Sequence, residues 1–171
     1  MKKFVFSLAV IFGVCSQTNA QGISTLRMGP LKLGATPKEV AAALKTKLRL
    51  KKRRADYTYE DTLTIKRNGE NYRLLFSYSF NQDKPIAYLC NIYSNNTKQK
   101  TPAGIGIGCT KAQLLAAYDY QNLDIRNDND FANSRTQYIT LYDCDSGTQI
   151  IFTLVDHFIA AMEITYTAND C

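Results

Sequence analysis

Two rhythms of apolar and polar residues alternate along this chain. From Leu31 the pattern is Leu31, Leu33, then Gly34 and Thr36, followed by a helical stripe of Val40, Ala43, Leu44, Lys47 and Leu48. It returns at Ile105-Gly106-Ile107-Gly108-Cys109-Thr110 and continues to Tyr118. Each Thr has Glu39 or Gln113 three residues later. This spacing is that of a capping box, in which the Thr hydroxyl takes the third helical amide and the third side chain reaches back to the Thr amide. Pro37 suits the first helical position, where its missing N–H costs nothing. Helices are therefore predicted over 37–49 and 111–118. After each, the rhythm shortens to two. Leu63-Thr64-Ile65, a turn at Asn68-Gly69, Tyr72 to Phe80 and Ile86 to Tyr93 predict three strands. Tyr138 to Tyr142, Gln149 to Val155 and Ile159 to Tyr166 predict three more, with turns at Cys144 to Gly147 and Asp156-His157. Residues 21–30 read as an irregular lead-in, and Ser94 to Pro102 as a polar linker.

The two helix starts lie 74 residues apart, Gly34 to Gly108 and Thr36 to Thr110. The hairpins superimpose at an offset of 76, with Leu63 on Ile139 and Leu74 on Ile150. The last strands superimpose at 73, with Leu89 on Met162 and Tyr93 on Tyr166. Such self-similarity implies an internal duplication. The predicted fold class is α+β: a tandem duplication of a helix followed by a three- to four-stranded antiparallel meander. Repeat one spans 31–100 and repeat two 101–171. A unit of about 70 residues is marginal alone, which favours a shared core.

Alternation assigns the faces. The core face takes Leu63, Ile65, Leu74, Phe76, Leu89 and Tyr93, then Ile139, Leu141, Ile150, Phe152, Leu154, Met162, Ile164 and Tyr166. Asn91 falls at a core position and would need hydrogen-bond partners there. The opposite face takes Thr64, Lys66, Arg73, Ser77, Tyr88, Tyr138, Thr140, Tyr142, Thr153, Glu163 and Thr165, an amphipathic surface rich in Thr and Tyr.

Ahead of all this, Met1-Lys2-Lys3, an apolar run from Phe4 to Val14, and Thr18-Asn19-Ala20 form a bacterial-style signal peptide over 1–20, with cleavage after Ala20. The run is too short for a permanent membrane span. Cys15 opens a lipoprotein alternative, although Gly13-Val14 before it is a poor lipobox. The expected location is periplasmic or secreted. Four cysteines follow the leader: Cys90, Cys109, Cys144 and Cys171. In an exported chain this predicts two disulfides. Cys144 at the hairpin turn and Cys171 after the last strand fall at one edge of the meander and form the first pair. Cys90 with Cys109 follows by elimination.

The formal charge is +6. Residues 31–100 hold 15 Lys/Arg against 6 Asp/Glu, and residues 101–171 hold 3 against 9. So dipolar a chain can offer different faces to partners. The run Lys51, Lys52, Arg53 and Arg54 reads first as a solvated helix end and second as a patch for an anionic partner; export argues against nucleic acid.

Catalytic and metal signatures are sparse. His157 stands in a turn with no motif around it. Neither a Gly-x-Ser-x-Gly elbow nor a His-Glu-x-x-His helix occurs. Gly104 to Gly108 lacks dinucleotide spacing and reads as a strand leading to a capped helix, and Asp124 to Asp130 lacks the Gly and closing Glu of a calcium loop and reads as a solvated acidic loop. No metal site, cofactor or enzyme activity is expected.

The paired Gly-x-Thr-x-x-Glu/Gln helix starts, each followed by a meander, resemble the β-lactamase inhibitor protein family across residues 31–166. They are also similar to the small lipoprotein of the outer-membrane barrel-assembly machinery, which has one such unit. The inhibitor family resemblance implies two repeats forming a continuous sheet whose concave aromatic face grips a partner enzyme. The expected function is a non-catalytic exported protein-binding module, an inhibitor or immunity protein neutralising an enzyme or toxin. The alternative is a cell-envelope scaffold or lipoprotein stabilising a membrane assembly, with membrane contact only through lipid at Cys15. Expected partner contacts are Tyr138, Tyr142, Tyr88, Arg73 and Lys66 on the strand face, with Lys51, Lys52, Arg53 and Arg54 beside it.

Overall fold

The computed structural model describes residues 22–50, 60–67, 70–81, 84–118, 123–127 and 135–167. The signal peptide, the Lys51–Arg54 run and Cys171 lie outside them. In order the elements are β1 (Ile23–Ser24), β2 (Arg27–Met28), β3 (Leu31–Lys32), α1 (Pro37–Ala43), β4 (Glu60–Arg67), β5 (Glu70–Asn81) and β6 (Lys84–Ser94). There follow α2 (Lys111–Ala117), β7 (Leu123–Asn127), β8 (Thr136–Asp143), β9 (Thr148–Val155) and β10 (Phe158–Tyr166).

The fold is mostly β, which corrects the α+β prediction of tandem helix-plus-meander units. Two physical causes separate them. The first is helix length, since α1 and α2 have seven residues each. Both capping boxes form as predicted, with Glu39 and Gln113 reaching back to the Thr36 and Thr110 amides at 2.7 and 2.8 Å. The stop in α1 comes early. Lys45 takes the left-handed conformation (φ 47°), the Lys45 amide donates to Ala42 and the Thr46 amide to Ala41. That is a Schellman ending, with Lys where Gly is usual, and it leaves the predicted 44–49 outside the helix.

The second cause is the way the halves join. The strands form one antiparallel sheet in the order β4-β5-β6-β10-β9-β8-β7, and β1-β2-β3 form a small separate sheet. The seam between halves, β6 with β10, has four registered pairs, from Met162–Ser94 to Thr165–Asn91. Beyond them each strand has a free edge, and a helix start fills it. Leu89 of β6 exchanges hydrogen bonds with Gly34 and Ala35 (2.8 and 2.9 Å), and Ile159 of β10 exchanges them with Gly108 and Cys109 (2.8 and 2.9 Å). Gly34 and Gly108 sit at φ 79° and 86° to make this turn, a region where a side chain is costly. The residue after each anchor is a bulge: the registers shift between Leu89 and Asn91's neighbours on β5, and between Ile159 and Ala161 on β9.

The bulge at Cys90 exchanges the faces predicted for the end of β6. Leu89 and Ile92 are both buried, while Tyr93, predicted for the core, is only half-buried. Asn91 leaves the core with it. Tyr166 is 39% exposed rather than a core residue, and Leu63 and Ile65 are partly buried. The other core predictions, Leu74, Phe76, Leu89, Ile139, Leu141, Ile150, Phe152, Leu154, Met162 and Ile164, are buried. Pairing of Leu63 with Leu74 and of Ile139 with Phe152 also moves the match of β5 on β9 by two residues, because the β8–β9 turn is longer.

The lead-in is not irregular. Ile23, Met28, Leu31 and Leu33 are buried in the same cluster as α1, α2 and the inner sheet face. The polar linker is likewise structural: Gln99, fully buried, donates to the Tyr72 hydroxyl at 2.7 Å. Gly106 lies against it, and a Cβ there would fall 2.5 Å from the Gln99 carbonyl oxygen. This close approach, rather than a phosphate, accounts for that glycine.

Candidate partner-binding face

Helices and lead-in pack on one side of the sheet. Among the described residues nothing packs on the other, and its side chains shelter one another instead. One row crosses all seven strands: Thr64, Arg73, Tyr93, Glu163, Ile151, Thr140 and Asp124, each in register with the next. A second row runs Thr62, Leu75, Asn91, Thr165, Gln149 and Tyr142. Tyr138 lies between Thr153 and Arg126, and Tyr88 pairs with Ser77.

Strand register holds these groups in place. The Arg73 guanidinium stacks on the Tyr93 ring, 4.4 Å from its centroid, a cation–π contact that orients the cation while leaving its edges free. The Asn91 amide donates to Glu163 at 2.5 Å, and the Thr165 hydroxyl donates to the Cys90 carbonyl at 3.1 Å. Both bonds cross the seam, so polar side chains on this face knit the two halves together. At the bulge, the Cys90 thiol lies 3.3 Å from the Leu75 carbonyl. Burial, and then the charge of Glu60, push that thiol up to about 11. Tyr166 is also raised, first by burial and then by Tyr88 and Cys90.

The predicted contact residues divide as follows. Tyr138, Tyr142 and Tyr88 are half-buried and Arg73 and Lys66 exposed, all on the open face. Lys51, Lys52, Arg53 and Arg54 lie outside the described residues. Tyr93 was missed, because strict alternation sends it inward. The signal was present in the sequence: an amide at a core position, Asn91, between Leu89 and Ile92 marks a bulge.

The cysteine scheme is corrected in one half. Cys90 and Cys109 are free thiols; one faces the sheet seam near Thr165 while the other is anchored at Ile159, toward the other end of β10. Cys144 is disulfide-bonded, and its expected partner Cys171 lies outside the described residues.

Two open grooves lie among the described residues. One groove of about 400 Å³ is lined by Pro30, Leu31, Lys32, Ala43 and α1 residues including Glu39, whose carboxylate is occupied by its cap. His157 borders a second groove and is exposed at the β9–β10 turn. No group of metal-ligating side chains occurs among the described residues. Asp124 belongs to β7 rather than to a loop, and bonds Arg126. No described helix is long and apolar enough to cross a membrane.

No family model, curated protein or solved structure matches this chain.

Proposed function

We propose that this is an exported, non-catalytic binding module that holds a partner protein against the open face of its sheet, acting as an inhibitor or immunity protein. The supporting observation is the row from Thr64 to Asp124, a rigid surface with Arg73 pre-oriented on Tyr93. Tyr supplies large contact area at little rotamer loss, the stack on Tyr93 restrains Arg73 in advance, and both residue types are enriched among interface hot spots. The inhibitor-family resemblance belongs to the same proposal, and so does steering of an acidic partner by Lys51, Lys52, Arg53 and Arg54.

The test is affinity capture from envelope extracts by the tagged chain, by Tyr138→Asp and Tyr142→Asp, and by Lys98→Glu, an exposed position in the linker between β6 and α2, each checked by circular dichroism. The two tyrosine variants should lose a partner that the wild type and Lys98→Glu retain. Unchanged capture by well-folded tyrosine variants would place binding elsewhere.

A further inference from the structure

The sheet ends on one side at β7, a five-residue strand with sequence Leu-Asp-Ile-Arg-Asn. A terminal strand presents unpaired N–H and C=O groups to any strand that can match it. Ile125 is 46% exposed, although it registers with Ile139, which is fully buried on the inner face. The row behind it runs through Ile139, Phe152 and Met162. Ile125 is thus the last member of a core row, and no described residue covers it. On either side of it, Asp124 and Arg126 point to the open face, in register with Thr140 and Tyr138.

We propose that β7 is a self-pairing edge, through which two copies of this chain join antiparallel to make one continuous sheet. A dyad through Ile125 satisfies three demands at once. It puts Ile125 opposite its own copy, completing the core row. It puts Asp124 of each copy opposite Arg126 of the other, an opposite-charge cross-strand pair made twice. It also keeps every residue on its own face, which antiparallel pairing requires. An isologous contact of this kind closes after two copies. In the single chain Arg126 bonds Asp124 along its own strand, so pairing exchanges contacts within the strand for contacts between strands. At the other edge, β4, the inner-face carboxylate Asp61 is already 5% exposed and bonded by the Tyr78 hydroxyl, so its charge is committed within the chain.

The dimer would double the open face across one sheet, giving two partner sites on one rigid body. The inference itself does not depend on that binding role.

Sedimentation velocity of the full chain over a concentration series tests it. The wild type should pass from monomer to dimer as concentration rises. Asp124→Arg and Arg126→Asp should each remain monomeric alone, because each places like charges opposite one another. An equimolar mixture of the two should recover dimers, and native mass spectrometry should show them as one-to-one heterodimers. Ile125→Asp should be monomeric. A wild type that stays monomeric at every concentration overturns the inference, as does a dimer that survives the single charge reversals. Since the wild type alone can give the first of these results, a variant that fails to fold does not protect the idea.

Discussion

Adjacent residues on each strand of the large sheet belong to two surfaces of opposite character. The inner row is Ile65, Tyr72, Ser94, Met162, Phe152, Ile139 and Ile125; the outer is Thr64, Arg73, Tyr93, Glu163, Ile151, Thr140 and Asp124. One step along the chain separates them everywhere. The inner row closes under two short helices and a lead-in of three small strands, and from Tyr72 to Ile139 its members are at most 1% exposed. The outer row is held by register, a cation–π stack and seam hydrogen bonds. Burial makes the first a source of stability. The second is ordered by contacts among its own side chains, which bury Thr140 but leave Thr64 and Arg73 exposed and the rest half-buried, and this suits a surface for a partner.

The sharpest way to break that contrast is truncation on each side. Phe152 is fully buried, and its ring lies 6.3 Å from that of Tyr118. Phe152→Ala leaves a cavity in the inner row and should lower unfolding free energy by about 3–5 kcal/mol. Tyr142→Ala, half-buried on the outer face, should cost less than about 1 kcal/mol, as cross-strand pairs do. Urea titrations followed by circular dichroism measure both. Equal losses would mean that the outer face is part of the core.

A second test concerns the strand ends that serve both faces. The Thr167 amide bonds the Gly147 carbonyl at 3.0 Å, so the chain leaves β10 beside the turn that carries Cys144. Non-reducing peptide mapping should return Cys144 linked to Cys171, with Cys90 and Cys109 alkylated as free thiols. Reduction should then cost about 3.5 kcal/mol, the loop-closure value for such a spacing. A Cys90–Cys109 peptide would contradict the arrangement described.

Much of this was legible in the chain because it rests on local chemistry. Thr36 with Glu39 and Thr110 with Gln113 cap their helices as written, and ten of the fourteen expected core residues are buried. What was not legible is non-local or depends on backbone exceptions. Lys45 ends α1 in a conformation that its side chain does not advertise. The sharing of one sheet across β6 and β10 is a long-range pairing that alternation alone does not carry, and a continuous sheet enters the sequence reading only as what the family resemblance implies. Around β7 the acidic residues Asp124 and Asp128 suggest a loop and obscure the alternation of Leu123 and Ile125. The bulge at Cys90 sent Tyr93 outward, and with it one end of the candidate site. Cys109 was assigned a partner by counting, yet it lies where the second helix start meets Ile159.

The smallest expected effect sits at that bulge, where the two faces exchange residues. Cys90 titrates from an ordinary 9.0 up to about 11, chiefly through burial, with Glu60 adding repulsion. The folded chain therefore keeps the thiol proton at pH values where the unfolded chain has released it. Stability from this group is complete below about 9, declines as pH rises towards 11, and is then flat. Tyr118 and Tyr166, both raised from 10.0 mainly by burial, add to the decline as pH approaches 10. The thiol leads the fall that starts near 9. Urea midpoints taken between pH 9 and 10 should therefore fall further for the wild type than for Cys90→Ser, which cannot titrate there. If both decline in parallel, Cys90 is solvated in the folded chain, and the bulge does not shield it as the contact with Leu75 indicates.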